Sequence, residues 1–110
     1  MKKLLFLCSQ NKLRSPTAEA VFSEYPGLEV ESAGLDRTAD NPVSTESINW
    51  ADIIFVMEKS HKSKLSKNFQ PFLKGKRVIC LDIPDEYEYM ELALIELLQQ
   101  KVLPLLGTFS

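Results

Sequence analysis

The chain has 110 residues, 45% of them hydrophobic and 25% charged, which suits one folded domain and is too little for two. Its formal net charge of -2, from 13 basic and 15 acidic residues, gives no general attraction to nucleic acid or to an anionic membrane. Two cysteines, Cys8 and Cys80, are too few for a disulfide scaffold. We therefore expect a single domain over residues 1–110.

We do not expect the first residues to act as a secretion signal. Two lysines precede an apolar run at 4–8, but polar residues at 9–12 end that run too early for a signal peptide. The sequence holds no apolar stretch as long as a membrane span. These features predict a cytoplasmic protein, in which thiols stay reduced.

The first half of the chain alternates strand and helix patterns. Residues 3–7 are continuously apolar, as in a strand that is buried on both faces of a parallel sheet. Ser15 and Pro16 predict the start of a helix, with Ser15 as its cap, and the Pro-Gly pair at 26–27 ends it. Residues 28–32 predict the second strand.

The second half repeats the alternation. Residues 44–50 predict a short helix, and 51–57 form an apolar run rich in β-branched residues, typical of a third strand. A Lys-rich amphipathic helix at 60–73, a strand at 77–81 and a final helix at 90–106 follow. Together the eight elements predict a three-layer α/β sandwich, with a four-stranded parallel sheet between helices.

The loops at 8–14 and 82–87 follow the first and fourth predicted strands. In such sheets ligands bind beyond the carboxyl ends of the strands, near the point where strand order reverses. We therefore expect side chains from these two loops to meet at one edge of the sheet.

The segment between the first strand and the first helix has the chemistry of an anion cradle. Cys8 ends the strand and Arg14 opens the helix, so backbone N–H groups and the helix N-terminus surround a small space. The residues of this phosphate-binding loop are Ser9, Gln10, Asn11, Lys12, Leu13, Arg14 and Ser15. The positive field favours the reactive thiolate of Cys8, and the Ser15 hydroxyl is placed to hydrogen-bond it. The arrangement predicts phosphoryl transfer through a phosphocysteine.

A second requirement of that chemistry is a proton donor for the leaving group and a base for the attacking water. One carboxyl group can serve both steps in turn. Asp82 and Asp85 in the loop after the fourth strand are the candidates, and as ordinary turn residues they would have neither role.

These motifs resemble the low-molecular-weight protein tyrosine phosphatases. The resemblance covers most of the chain, at residues 5–8, 11, 14–16, 18–22, 31–34, 50–57 and 82–87. It implies a phosphatase I-like fold and a cofactor-free phosphatase that acts on a phosphotyrosine protein or a small aryl phosphate. Inorganic phosphate would be the product.

The resemblance also implies roles for individual residues. Cys8 would be the nucleophile, and Arg14 would bind the phosphoryl group and its transition state. Ser15 would favour the thiolate, and Asn11 would hold the loop with Ser32 as its partner. Alignment through residues 83–84 favours Asp85 over Asp82 as the general acid, and Tyr87 would flank the pocket as a wall.

Four departures from the family pattern concern the site. Gln10 stands where members commonly have Gly, and Leu13 replaces a second Cys, so a disulfide inside the loop is impossible. Glu86 replaces a Pro after the acid. The segment 33–44 is much shorter than in the family, which predicts a shallower and more open pocket.

His61 and Cys80 are expected to have structural rather than catalytic roles. His61, the only histidine, begins the Lys-rich helix and is expected on the surface, away from the site. Cys80 lies in a predicted buried strand, where it would be a small core residue. No pair of His or Cys residues has the spacing of metal ligands, so we expect no metal.

Three other functions share parts of this pattern. An arsenate reductase uses a similar cradle but usually needs resolving cysteines, which Leu13 and a buried Cys80 do not supply. A non-catalytic phosphate or phosphopeptide binder would not need Cys8, Arg14 and Asp85 together. A phosphocarrier domain of similar fold would need neither Arg14 nor a general acid.

Overall fold

The computed structural model describes residues 2–106, over which strands and helices alternate. The strands are β1 (Lys2–Cys8), β2 (Leu28–Gly34), β3 (Ile53–Val56) and β4 (Arg77–Cys80), and the helices are α1 (Arg14–Phe22), α2 (Thr45–Trp50), α3 (Lys59–Leu73) and α4 (Leu92–Leu106). Within residues 2–106, every helix is too short or too polar to cross a membrane.

All four strands run parallel, in the order β2-β1-β3-β4. Leu7 of β1 pairs with Ala33 of β2 on one side and with Val56 of β3 on the other. Helices α1 and α4 cover one face of the sheet, and α2 and α3 cover the opposite face. The structure thus confirms the predicted three-layer α/β sandwich.

Strand β1 is the centre of the core because alternate residues point to opposite faces of the sheet. Leu4, Phe6 and Cys8 pack on the α1–α4 side, while Leu5 and Leu7 pack on the α2–α3 side. The Phe6 ring stacks on Phe22 and Phe55, with ring centroids 5.5 and 4.9 Å away. This packing fixes the end of β1, and therefore Cys8, on the same side of the sheet as α1.

Helices α2 and α3 begin within one residue of the predicted starts, and the starts of the first and last helices differ for identifiable backbone reasons. The last helix begins at Leu92 rather than at residue 90, because Met90 has a φ of 61° and cannot belong to a right-handed helix. The first helix begins at Arg14, with Leu13 as a cap that makes no side-chain hydrogen bond. Ser15 therefore lies inside the first turn, and the prediction that it caps the helix is wrong.

Strand order reverses between β1 and β3. The chain places β2 on one side of β1 and then crosses over to place β3 and β4 on the other side. A crevice forms at such a point beyond the carboxyl ends of the strands. Loops after β1, β3 and β4 converge there.

Candidate active site

The loop after β1 is held by an asparagine in a left-handed backbone conformation. Asn11 has a φ of 56°, which asparagine tolerates better than most residues. Its Nδ2 donates to Ser32 Oγ and to Ser15 Oγ, each at 3.0 Å. Ser32 in turn donates to the carboxylate of Glu19. These bonds join the loop to β2 and to α1 at once, so its curvature is set by both neighbours.

Cys8 lies at the base of this loop, almost fully buried, and its Sγ is 2.9 Å from Ser15 Oγ. Ser15 belongs to the first turn of α1, where backbone N–H groups lack helical partners and the helix dipole is positive. The Cys8 sulfur therefore faces a hydroxyl group and the N-terminal end of a helix. The prediction placed Ser15 beside Cys8, and the structure has it there.

The short segment after β2 supports the outer side of the loop. Backbone N–H groups of Leu35 and Asp36 donate to Cys8 O and Ser9 O at 2.9 and 3.0 Å. Gln10 Nε2 donates to Asp36 Oδ2 at 2.9 Å, and hydrogen bonds from Thr38 hold the pKa of Asp36 below its ordinary value. The Gln10 side chain thus connects the loop to this segment.

Arg14 is only 3% exposed, and its guanidinium is fixed by groups from two other loops. Nη1 donates to Glu58 Oε2, just after β3, and to the Ile83 carbonyl after β4, both at 2.7 Å. Nε lies 3.7 Å from Oδ1 of the exposed Asp85. The guanidinium is therefore oriented before any anion binds, and it lies next to an exposed carboxylate.

These groups surround a small pocket of about 160 Å³. Its lining residues are Cys8, Ser9, Gln10, Lys12, Leu13, Arg14 and Asp85. The structure thus brings together Cys8, Arg14 and Asp85 from the two loops that the sequence singled out. Asn11, Ser15 and Ser32 form the support beneath them.

Two predicted candidates lie elsewhere. Asp82 lines a neighbouring cavity of about 420 Å³, and its Oδ1 accepts a hydrogen bond from Cys80 Sγ at 3.4 Å. Tyr87 is half-buried against the α1–α4 side of the core and does not line the Cys8 pocket. Its ring packs on the core, and its role as a pocket wall stays a prediction.

The expectation for His61 is wrong. The side chain is 4% exposed, and its Nε2 lies 3.1 Å from Ser9 Oγ in the phosphate-binding loop. Burial, followed by the nearby Arg14 charge, lowers the pKa of His61 below its ordinary value. The site therefore includes two residues that the sequence interpretation missed, His61 and its neighbour Glu58.

Cys80 is also placed differently from the prediction. It is half-buried at the end of β4 and packs against the α2–α3 side of the core. Desolvation raises the pKa of its thiol. Cys8 belongs to the core on the other face of the sheet, so the two thiols are separated by the sheet itself.

Among residues 2–106, no three His, Cys, Asp or Glu side chains are arranged to hold a metal ion. The pocket offers a thiol, a guanidinium and an exposed carboxyl group.

Comparisons with known proteins agree with this geometry, although no family model matches the chain. The chain is 30% identical to Low molecular weight protein-tyrosine-phosphatase Wzb of Escherichia coli K12 over 114 residues, covering 76% of this chain and 77% of that protein. It is 29% identical to Protein-arginine-phosphatase of Geobacillus stearothermophilus over 98 residues, covering 67% and 66%.

The fold has close counterparts among solved structures. The low molecular weight protein tyrosine phosphatase of Streptococcus pyogenes is similar with a TM-score of 0.77 at 17% identity, over 97% of this chain and 92% of that chain. Sequence and fold agree, and the chain belongs to the low-molecular-weight protein-tyrosine-phosphatase family of cysteine-dependent phosphatases.

Proposed function

We propose that this single domain hydrolyses aryl phosphate monoesters, protein phosphotyrosine among them, through a phosphocysteine at Cys8. The observation that carries the proposal is the convergence of Cys8, Arg14 and Asp85 on one pocket of about 160 Å³. A nucleophile, an anion-binding fork and a carboxyl group are the parts that this reaction needs. Its two free thiols suit a reducing compartment such as the cytoplasm.

In the first step the Cys8 thiolate attacks phosphorus, an S–P bond forms, and the P–O bond to the aryl group breaks. The negative charge on the phosphoryl oxygens is stabilised by Arg14 and by the backbone N–H groups of the loop. Asp85 gives its proton to the departing aryl oxide. The placement of Asp85 in the pocket, and of Asp82 in the neighbouring cavity, supports Asp85 in this role.

In the second step water attacks the phosphocysteine. Asp85, now a carboxylate, takes a proton from that water, the S–P bond breaks, and inorganic phosphate and the Cys8 thiolate are released. Ser15 Oγ, 2.9 Å from Cys8 Sγ, stabilises the thiolate as the leaving group of this step.

A phosphorylated arginine is the competing substrate, because one relative is named a protein-arginine-phosphatase. Lys12 lines the pocket here and its side chain is exposed. A guanidinium leaving group would carry positive charge towards this ammonium and towards Arg14, and among residues 2–106 Asp85 is the one carboxylate in the pocket lining that offsets these two cations. A phenyl ring carries no such charge, so the lining favours aryl phosphates.

The placement of the cysteines weighs against arsenate reduction. That chemistry needs a second thiol to reach the first, and Leu13 occupies the nearest candidate position in the loop. Cys80 lies across the sheet from Cys8. A protein that only binds phosphate would not need a carboxyl group such as that of Asp85 in the pocket.

The decisive experiment is hydrolysis of p-nitrophenyl phosphate in the presence of a chelator. Cys8→Ser is expected to abolish turnover, and Asp85→Ala to lower kcat by about 10²-fold, within the usual range for a general acid. Asp82→Ala is the matched control, with a change below about twofold. Phosphate or vanadate binding by the wild type without turnover would overturn the enzymatic proposal in favour of a binder.

Substrate choice needs a separate comparison of a phosphotyrosine peptide with a phosphoarginine peptide of the same sequence. Preference for the phosphotyrosine peptide, reduced by Lys12→Ala, is the expected result. Preference for the phosphoarginine peptide by the wild type would overturn the assignment to aryl phosphates.

A further inference from the structure

The buried imidazole of His61 has two hydrogen-bond partners on two different elements. Nδ1 lies 3.2 Å from the backbone nitrogen of Glu58, and Nε2 lies 3.1 Å from Ser9 Oγ. His61 is the third residue of α3, and Glu58 is its N-cap, so the two side chains form a reciprocal capping box. The ring thus connects the start of α3 with the phosphate-binding loop.

These contacts define the protonation state of the ring. The backbone N–H of Glu58 can only donate, so Nδ1 must be an acceptor and carries no proton. In the neutral ring the proton therefore sits on Nε2, which donates to Ser9 Oγ. The Ser9 hydroxyl is then left with its own proton to donate, at the rim of the Cys8 pocket that Ser9 lines.

The same capping box holds the partner of Arg14. Glu58 accepts from the His61 backbone N–H at the start of α3, and its Oε2 accepts from Arg14 Nη1 at 2.7 Å. A change at His61 therefore reaches the pocket by two routes, through Ser9 directly and through Glu58 to Arg14.

The charges around the ring favour its neutral form. Burial and the Arg14 guanidinium oppose protonation, with Lys64 adding to them, while Glu58 and Asp85 favour protonation. Protonation at Nδ1 would place an N–H against the Glu58 N–H and break the cap.

We propose that neutral His61 is a positioning residue of the phosphatase, holding Ser9 and, by way of Glu58, Arg14 in place for the phosphoryl group. The inference rests on the proposed function and assigns His61 no contact with substrate. It predicts that the two nitrogen atoms of the ring have separable roles.

Two substitutions separate those roles. His61→Asn places an amide oxygen near the position of Nδ1, which keeps the helix cap but removes the donor to Ser9. His61→Gln extends an amide N–H towards the position of Nε2, which keeps the Ser9 contact and weakens the cap. Both are compared with Ser9→Ala and with the double variant His61→Asn/Ser9→Ala.

The measurement is kcat and KM for p-nitrophenyl phosphate from about pH 5 to about pH 8, with thermal unfolding of each variant alongside. His61→Asn is expected to unfold near the wild-type temperature and to lose about tenfold in kcat/KM, as one hydrogen bond at a reacting site commonly costs. Ser9→Ala is expected to match it, and the double variant to be no worse. His61→Gln is expected to keep more of kcat/KM and to unfold at a lower temperature.

The pH profile adds a readout that a merely structural role would not move. Protonation of His61 contributes a loss of kcat/KM on the acid side in the wild type, and this component is absent in His61→Asn. Because His61 is the only histidine in the chain, ¹⁵N NMR of the wild type also gives its tautomer without ambiguity of assignment.

The outcomes are distinct. Absence of turnover in the wild type contradicts the proposed function itself. Wild-type turnover with unchanged kcat/KM and pH profile in His61→Asn overturns only the role of His61, as do additive losses in the double variant or a proton found on Nδ1.

Discussion

Arg14 Nη1 lies 2.7 Å from Glu58 Oε2, so a cation at the first helix is paired with an anion that follows the third strand. The arginine is buried, whereas the Glu58 side chain is 43% exposed. The pair therefore gains less from low dielectric than a buried pair would, and its main consequence is geometric. Together with the Ile83 carbonyl, it points the guanidinium in a single direction before ligand binds.

Removing the charge of Glu58 is expected to lower kcat/KM more than it lowers the stability of the fold. Glu58→Gln keeps an oxygen for Arg14 but removes the charge, and should lower kcat/KM by about tenfold while reducing stability by about 1 kcal/mol. Glu58→Ala removes both and should be worse in each respect. Steady-state kinetics and urea unfolding measure the two effects.

The matched control is Glu46→Gln, since Glu46 is an exposed glutamate in the first turn of α2 and does not line the Cys8 pocket. Equal losses of kcat/KM in the Glu46 and Glu58 variants would contradict a specific role for the Arg14 pair.

Asn11 combines an unusual backbone angle with two side-chain hydrogen bonds, and two substitutions separate these contributions. Asn11→Gly keeps the φ of 56° accessible and loses the bonds to Ser15 and Ser32, whereas Asn11→Ala loses both. We expect both variants to lose activity, with Asn11→Ala about 1 kcal/mol less stable than Asn11→Gly. Chemical unfolding with activity assays tests this, and a more stable Asn11→Ala would contradict it.

Gly34 is required for space rather than for backbone freedom. A Cβ at this position would lie 2.4 Å from Ala39 Cβ and 2.8 Å from the Ser9 carbonyl oxygen. Gly34→Ala must therefore displace the phosphate-binding loop, and we expect phosphate affinity measured by calorimetry to fall by at least about tenfold.

Gly75 offers the opposite case and serves as the control. Nothing lies within 4 Å of a Cβ placed there, but its φ is +81°. Gly75→Ala should cost about 1 kcal/mol in backbone strain and leave phosphate affinity unchanged. If the two alanine variants weaken phosphate binding equally, the close approach at Gly34 is not the cause.

The buried His61 gives the fold a pH dependence of known sign. Its pKa in the folded protein lies below the ordinary value of 6.5, so the unfolded chain binds more protons between the two values. Stability from this residue is therefore complete above about pH 6.5 and decreases as pH falls towards the folded-state pKa. Thermal unfolding across this window should show the decrease in the wild type and a smaller one in His61→Asn. Equal slopes in the two proteins would exclude His61 as the source.

Much of the fold follows from the sequence because apolar runs and helical spacing are local signals. The eight elements and their parallel arrangement are confirmed, with element ends shifted by a few residues. Cys8, Arg14 and Asp85 were identified because two loops at carboxyl ends of strands carry reactive side chains. How close these three side chains lie to one another depends on the order of the strands in the sheet, which the structure supplies.

Glu58 and His61 show what local patterns do not reveal. Both follow the third strand, whose carboxyl end faces the same crevice. Their capping box has Glu and His where the usual pattern has Ser or Thr and Glu or Gln, so the sequence carries no standard signal for it. The Lys-rich composition of the helix indicated a solvated start, whereas His61 in its first turn is buried. Tyr87 illustrates the same limit, because nothing local distinguishes a ring that packs on the core from one that faces a pocket.

The separation of the two thiols by the sheet has a consequence for damage and recovery. Peroxide would convert the Cys8 thiolate to a sulfenic acid, which is normally protected by condensing with a nearby thiol. Leu13 stands in the loop where such a thiol would fit, and Cys80 packs on the opposite face. Repair would then depend on a small thiol from solution. Activity lost to peroxide should return with glutathione and not on standing, and spontaneous return would indicate a partner within the chain.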